Sequence, residues 1–137
     1  MAYPKKHSPA NIPSLYRWAA SSGGIFVNPA LTEPFGLTLL EASSCGLPII
    51  ATDDGGPKEI HAKCENGLLV NVTDINQLKV ALEKGISNST QWKIWSRNGI
   101  EGVHRHFSWN THVRNYLSIL QGHYQKSTIF SSSGIKE

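Results

Sequence analysis

Apolar residues fall along this chain first as compact runs and then as helical stripes. Residues 24–28 (GIFVN), 47–52 (LPIIAT) and 67–70 (GLLV) are short and rich in β-formers, and turn residues close the first two: Pro29, and the run Asp53-Asp54-Gly55-Gly56-Pro57. Three strands are predicted. Before them, Leu15, Trp18 and Ala19 repeat at helical spacing behind Asn11-Ile12-Pro13, a capping residue followed by a first-turn proline, and Ser21-Ser22-Gly23-Gly24 stops the pattern. Between the first two strands, residues 35–45 fit a helix ending at Gly46, with Leu37, Leu40 and Ala42 on its apolar positions. After the third strand, Asp74 caps a helix with Leu78, Ala81 and Leu82 inward. The region 88–90 starts another, carrying Trp92, Trp95 and Ile100, and Ser108 caps a last one with Val113, Tyr116, Leu117 and Leu120 on one face.

Strands alternating with helices, and buried on both faces, imply an α/β domain: a partial Rossmann-like parallel sheet with flanking helices. Doubly wound sheets usually have about five or six strands, so three suggest that the first strands of the sheet are missing here. The expected domain covers residues 1–124. Residues 125–137, with Ser131-Ser132-Ser133-Gly134, read as a disordered tail.

Length and composition narrow the class. The chain has 137 residues and 39% hydrophobic content, enough for one small core. Thirteen Lys and Arg against ten Asp and Glu leave +3 with no basic run longer than Lys5-Lys6, which argues against a nucleic-acid partner. No apolar run approaches a membrane span and residues 1–7 lack a signal-peptide core, so a soluble cytoplasmic protein is expected, and the two glycosylation sequons at Asn71 and Asn88 read as chance. Cys45 and Cys64 have neither CxxC partners nor histidines at zinc spacing, so no structural metal is expected.

In open parallel sheets, ligands sit outside the carboxyl ends of the strands. That singles out residues 29–38 and 53–59. In the first, Pro29 and Pro34 stiffen a loop, Gly36 permits close backbone approach, and N–H groups at 36–38 open a helix, an anion site suited to phosphate. Glu33 stands ahead of that helix start and Glu41 roughly 8 Å beyond it, too far apart to share a proton. Carboxylates beside a diphosphate would repel it, so they should reach past it to neutral hydroxyls, and a nucleotide-sugar offers hydroxyls at both ends.

Residues 28–42 (NPALTEPFGLTLLEA), with Gly46-Leu47-Pro48 and residues 66–70 (NGLLV), closely resemble the donor domain of retaining GT-B glycosyltransferases carrying an E-x7-E motif. Within that group the chain looks most like the sucrose-phosphate synthases, from about Ala2-Tyr3-Pro4-Lys5 to Tyr116-Leu117; the sucrose synthases are the rival, with Ala typical where Pro34 stands here. The resemblance implies that Glu33 contacts the donor hexose, that Glu41 holds the ribose hydroxyls, and that backbone N–H groups of the stretch Pro34, Phe35, Gly36, Leu37 and Thr38 hold hexose and diphosphate. It implies UDP-glucose as donor substrate, fructose 6-phosphate as acceptor, and no cofactor or catalytic metal. An N-terminal GT-B domain, expected as intramolecular partner, would carry the acceptor site, and the family's phosphate-binding Arg and Lys lie upstream of Met1. The fragment alone is therefore expected to be inactive. Two other readings compete: a non-catalytic interaction module, and a glycoside hydrolase using Glu33 and Glu41.

The remaining candidates read as structural. Asp53-Asp54 is a polar strand end rather than a metal motif; His104 and His106 point apart, while His61 and His112 have no visible partner. Cys45 reads as a small buried residue, Lys58 as solvent-exposed though within reach of phosphates, and Trp92, Trp95 and Trp109 as packing.

Overall fold

A computed structural model describes residues 8–132, of which 122–132 by backbone alone. A 3-10 turn at Pro9–Asn11 leads into α1 (Ile12–Ser21), followed by β1 (Phe26–Asn28), α2 (Leu37–Ser44), β2 (Ile49–Thr52), α3 (Pro57–Cys64), β3 (Gly67–Val70), α4 (Ile75–Ser87), α5 (Ser89–Phe107) and α6 (Trp109–Ser132). The chain divides into two compact units, residues up to His104 and residues from Arg105.

The first unit is built on a three-stranded parallel sheet in the order β1-β2-β3, with Phe26 opposite Ile49 and Ile49 opposite Gly67. Parallel neighbours need crossovers, and α2 and α3 supply them. All three strands expected from the sequence are present. The connection expected as a turn after β2 is instead α3: Pro57 enters its first turn, Glu59 sits at its positive end, His61 and Lys63 lie in its last turn, and Glu65 ends it at φ 47°. Pro57, Ile60 and Cys64, spaced about one turn apart, form its inward face, and all three are buried.

The core centres on β2, whose four residues are all buried between its two neighbours. Ile50 packs with Val70, Ala81, Leu78 and Leu82, so α4 presents the face its periodicity predicts, and Asp74 caps it by accepting the N–H groups of Asn76 (2.9 Å) and Gln77 (3.1 Å). Burying an Ile or Leu side chain stabilises by about 1.5 to 3 kcal/mol, and Leu39, Ile49, Ile50 and Ile60 are all essentially inaccessible. Buried Asn66 donates to the Ser43 hydroxyl at 2.7 Å, tying the start of β3 to α2. The Trp92 indole donates to the Gly24 carbonyl at 2.9 Å, tying α5 to the entrance of β1.

Several details depart from the sequence expectations. Nothing in α1 is buried, and Leu15 and Trp18 are exposed; Asn11 is already in helical conformation and its side chain makes no capping bond, because the 3-10 turn carries the chain into the helix. The helix expected over 35–45 starts at Leu37, after the left-handed Gly36, and its inward residues are Leu39, Ala42 and Ser43, with Leu37 turned outward.

In the second unit, the Ser108 hydroxyl accepts the Thr111 N–H at 3.3 Å, as expected of a cap. Trp109 is 80% exposed rather than packed, and its ring meets His112 edge-on at 5.6 Å. The α6 backbone runs through residues 125–132, where a tail was expected, since nothing between Trp109 and Ser132 but Gly122 interrupts a helix. Residues 133–137 lie outside those described, as do 1–7. Among the described residues, no helix is long and apolar enough to cross a membrane.

Candidate functional site

The loop leaving β1 and the turn leaving β2 meet at the carboxyl edge of the sheet. Glu33 and Gly55 form an isolated parallel bridge, and the Gly56 N–H donates to the Glu33 carbonyl at 2.7 Å. This approach is possible only without side chains on the turn. Gly55 has φ +84°, and a Cβ there would overlap the Glu33 carbonyl oxygen; a Cβ on Gly56 would lie 2.6 Å from the Phe35 carbonyl. A hydrogen bond from the Thr32 hydroxyl to the Asp54 carboxylate, 2.9 Å, closes the other side. Asp54 is therefore a loop fastener, and among the described residues no group of three His, Cys, Asp or Glu is arranged to hold a metal.

Within this frame the Glu33 carboxylate folds back over its own loop. One oxygen accepts the N–H groups of Gly36 (3.0 Å) and Phe35 (3.4 Å), and the other accepts the Asn28 side-chain N–H at 3.1 Å. These bonds favour the ionised form: the Gly36 N–H above all, then the Asn28 amide, hold the Glu33 carboxyl below the usual carboxylate range against a small opposing effect of desolvation. A glycosidase's general acid needs the reverse, a raised value, so Glu33 does not suit that role.

Glu33 thus sits where the sequence places it, ahead of α2, but it occupies two of the N–H groups expected to face ligand. Leu37 and Thr38 supply the next N–H groups at the helix start, which no side chain caps. Pro34 and Phe35 lie exposed at the mouth of the loop, Phe35 at 77%. Gly36 is buried, left-handed at φ +78°, with α3's Ile60 packed where a Cβ would point. Glu41 is exposed on α2 and lines a separate cleft of about 340 Å³ with Ile12, Tyr16, Arg17 and Cys45. Burial, then the nearby Glu41 and Cys45, raise the Tyr16 phenol above its ordinary value. Lys58 stays exposed on the first turn of α3.

One residue that matters here escaped the sequence reading. Asn28 closes β1 and touches Glu33; an amide between a strand and Pro29 was the available signal. His61, expected without a partner, lies 3.2 Å from the Gly67 carbonyl, and Cys45 is half-buried rather than buried. Cys64 is the buried thiol, and burial pushes it up to about 11.

A three-stranded parallel sheet with helical crossovers is shared with solved GT-B glycosyltransferases. The chain belongs to the family described as glycosyl transferases group 1, whose pattern matches residues 3–102. Over 118 residues, 86% of this chain, it is 50% identical to sucrose-phosphate synthase 4 of Arabidopsis thaliana, and it spans about 11% of the length of that relative. The solved structure of a sucrose-phosphate synthase from Thermosynechococcus elongatus covers 91% of this chain with a TM-score of 0.65 at 24% identity, a likeness of fold, and the match takes in 37% of that chain. The C-terminal domain of a glycosyl transferase group 1 family protein from Francisella tularensis gives the same TM-score, 0.65, at 30% identity, over 80% of this chain and 53% of that one.

Proposed function

We propose that this chain is the donor-binding part of a retaining hexosyltransferase of the sucrose-phosphate synthase type. The donor is UDP-glucose and the acceptor the 2-hydroxyl of fructose 6-phosphate. The bond from the glucose C1 to the UDP oxygen breaks, a bond from C1 to the fructose oxygen forms on the same face, and the acceptor's proton passes to the departing diphosphate. The observation that carries the reading is the Glu33 carboxylate bound to the first N–H groups ahead of α2, in a chain half identical to sucrose-phosphate synthase 4 along most of its length.

A carboxylate offers about four lone-pair directions. Three donors already engage Glu33, so one direction is left for a hexose hydroxyl. The N–H groups of Leu37 and Thr38 and the α2 dipole attract the diphosphate, and Glu41, one turn further along α2 where it faces the cleft beside α1, takes the ribose hydroxyls of a nucleotide that runs from the loop into that cleft. Residues outside this chain complete the acceptor side, so the chain by itself gives no sucrose 6-phosphate.

Binding of UDP by this part alone is weak. Three or four contacts contribute about 6 to 8 kcal/mol gross, and association entropy removes at least ~4, which leaves a millimolar complex. In an NMR titration with UDP, amide shifts should cluster at residues 33–41 and at Gly55-Gly56, without saturation below millimolar ligand. Shifts confined to other parts of the chain would refute the donor-site assignment; micromolar affinity would mean that phosphate ligands beyond the α2 start are present in this chain.

A further inference from the structure

Asn28 is the last residue of β1, held in register against Ala51 of β2, and is half-buried. Its side chain faces two groups of opposite demand. The Ala30 N–H needs an acceptor and finds the Asn28 carbonyl oxygen at 3.0 Å; the Glu33 carboxylate needs a donor and finds the Asn28 amide nitrogen at 3.1 Å. A carboxamide supplies both from one planar group, and these two partners also fix which way round it lies. A leucine would satisfy neither, and an aspartate would satisfy the Ala30 N–H while setting a second negative charge against Glu33.

From this juxtaposition we infer that Asn28 is a positioning residue: it locks the Glu33 carboxylate in the orientation that leaves one lone pair toward the donor hexose. The inference rests on the reading of Glu33 as a donor ligand. Without Asn28, the Glu33 side chain retains one anchored oxygen, on Gly36 and Phe35, and is free to turn about its terminal bond. The backbone clamp by Gly55-Gly56 would remain, so the loop path survives while the carboxylate loses its aim.

The Glu33 hydrogen bonds leave a signature in its titration. Titratable groups on the elements packed around this loop are Asp53 and Asp54 on the turn after β2, Lys58, Glu59, His61, Lys63 and Cys64 on α3, and Glu41 on α2; the lowered Glu33 value comes from hydrogen bonds, not from any of them. Loss of the Asn28 donor should therefore raise the Glu33 midpoint.

The test uses the full 137-residue chain. Carbon-detected NMR follows the Glu33 carboxyl through pH in the wild type, Asn28→Ala and Asn28→Asp, with the methyl signals of Ile50 and Val70 reporting the fold. Asn28→Asp keeps the acceptor for Ala30, so it separates the turn from the aim. The midpoint should rise in Asn28→Ala and rise further in Asn28→Asp, with the Gly36 amide inflection moving in step. Addition of UDP-glucose at millimolar concentration should shift Gly36 and Glu33 in the wild type and shift them less in both variants. An unchanged Glu33 midpoint in folded variants, with the wild-type response to UDP-glucose intact, would overturn the role of Asn28 alone. A wild type in which UDP-glucose leaves both residues unmoved would overturn the donor-site reading and the inference together.

Discussion

The strand β2 and the loop that leaves β1 lie side by side yet are held by different forces. Every residue of β2 is buried, and its place is fixed by apolar neighbours and by ladders on both sides. The loop, residues 29–36, is mostly exposed, and its shape comes from a bridge to a diglycine turn and from the Thr32, Asn28 and Glu33 hydrogen bonds. Apolar burial tolerates small displacement, because it is non-directional. Hydrogen bonds weaken steeply off their preferred angles, so the loop is the more exacting of the two in geometry and the lesser in energy. Stability and site shape should therefore respond to different substitutions.

Three changes probe that division. Ile50→Ala removes the β2 side chain that meets Val70 and Ala81, and should cost about 2 to 5 kcal/mol, seen as a large fall in the denaturation midpoint. The loop amides of any population that stays folded should be unmoved. Gly55→Ala places a Cβ at φ +84° against the Glu33 carbonyl, with a cost of about 1 to 2 kcal/mol from the left-handed backbone and more from the overlap. Its mark should be the reverse: a smaller fall in midpoint, with amide shifts at residues 33–36 outweighing those in β2. If Gly55→Ala destabilised the chain as much as Ile50→Ala, the turn would be part of the core and the comparison would collapse.

The smallest effect concerns charge. Glu33 has its folded value lowered, so its ionised form contributes stability that is fully present above the ordinary carboxylate value and is lost as pH falls through the folded value. Melting temperatures of the wild type and Glu33→Gln should therefore differ slightly at neutral pH and converge in acid. A gap that widened on acidification would show that Glu33 is not held by donors.

The fold was legible to the extent that it rests on runs and stripes. Residues 47–52 and 67–70 are strand sequences with little alternative, and Asp74 with Leu78, Ala81 and Leu82 carries both a cap and a face. Helix α3 was not legible, because its three buried residues, Pro57, Ile60 and Cys64, include only one large aliphatic side chain and read as a turn, and the sheet, not the segment, requires a crossover there. The site divides in the same way. Glu33, Gly36 and Glu41 stand out through a motif within one short stretch, and the structure sets Glu33 and Gly36 together but puts Glu41 on another cleft. The orientation of Glu33 depends on Asn28, five residues earlier at the end of β1, and the path of its loop on a turn 22 residues beyond Thr32, a contact between separate loops that no local pattern encodes.

The diglycine clamp also limits how this site can change by mutation. Every amino acid other than glycine brings a Cβ, and at Gly55 and Gly56 that atom meets main chain, which has no alternative rotamer to adopt. A substitution at either position therefore has to shift the main chain of the loop it meets. The side chains of Pro29 and Leu31 are exposed and take no part in that clamp, although the Leu31 carbonyl accepts the Thr52 hydroxyl at 3.4 Å. Change in this region is therefore expected at exposed side chains on a loop of fixed path, and not in the path itself.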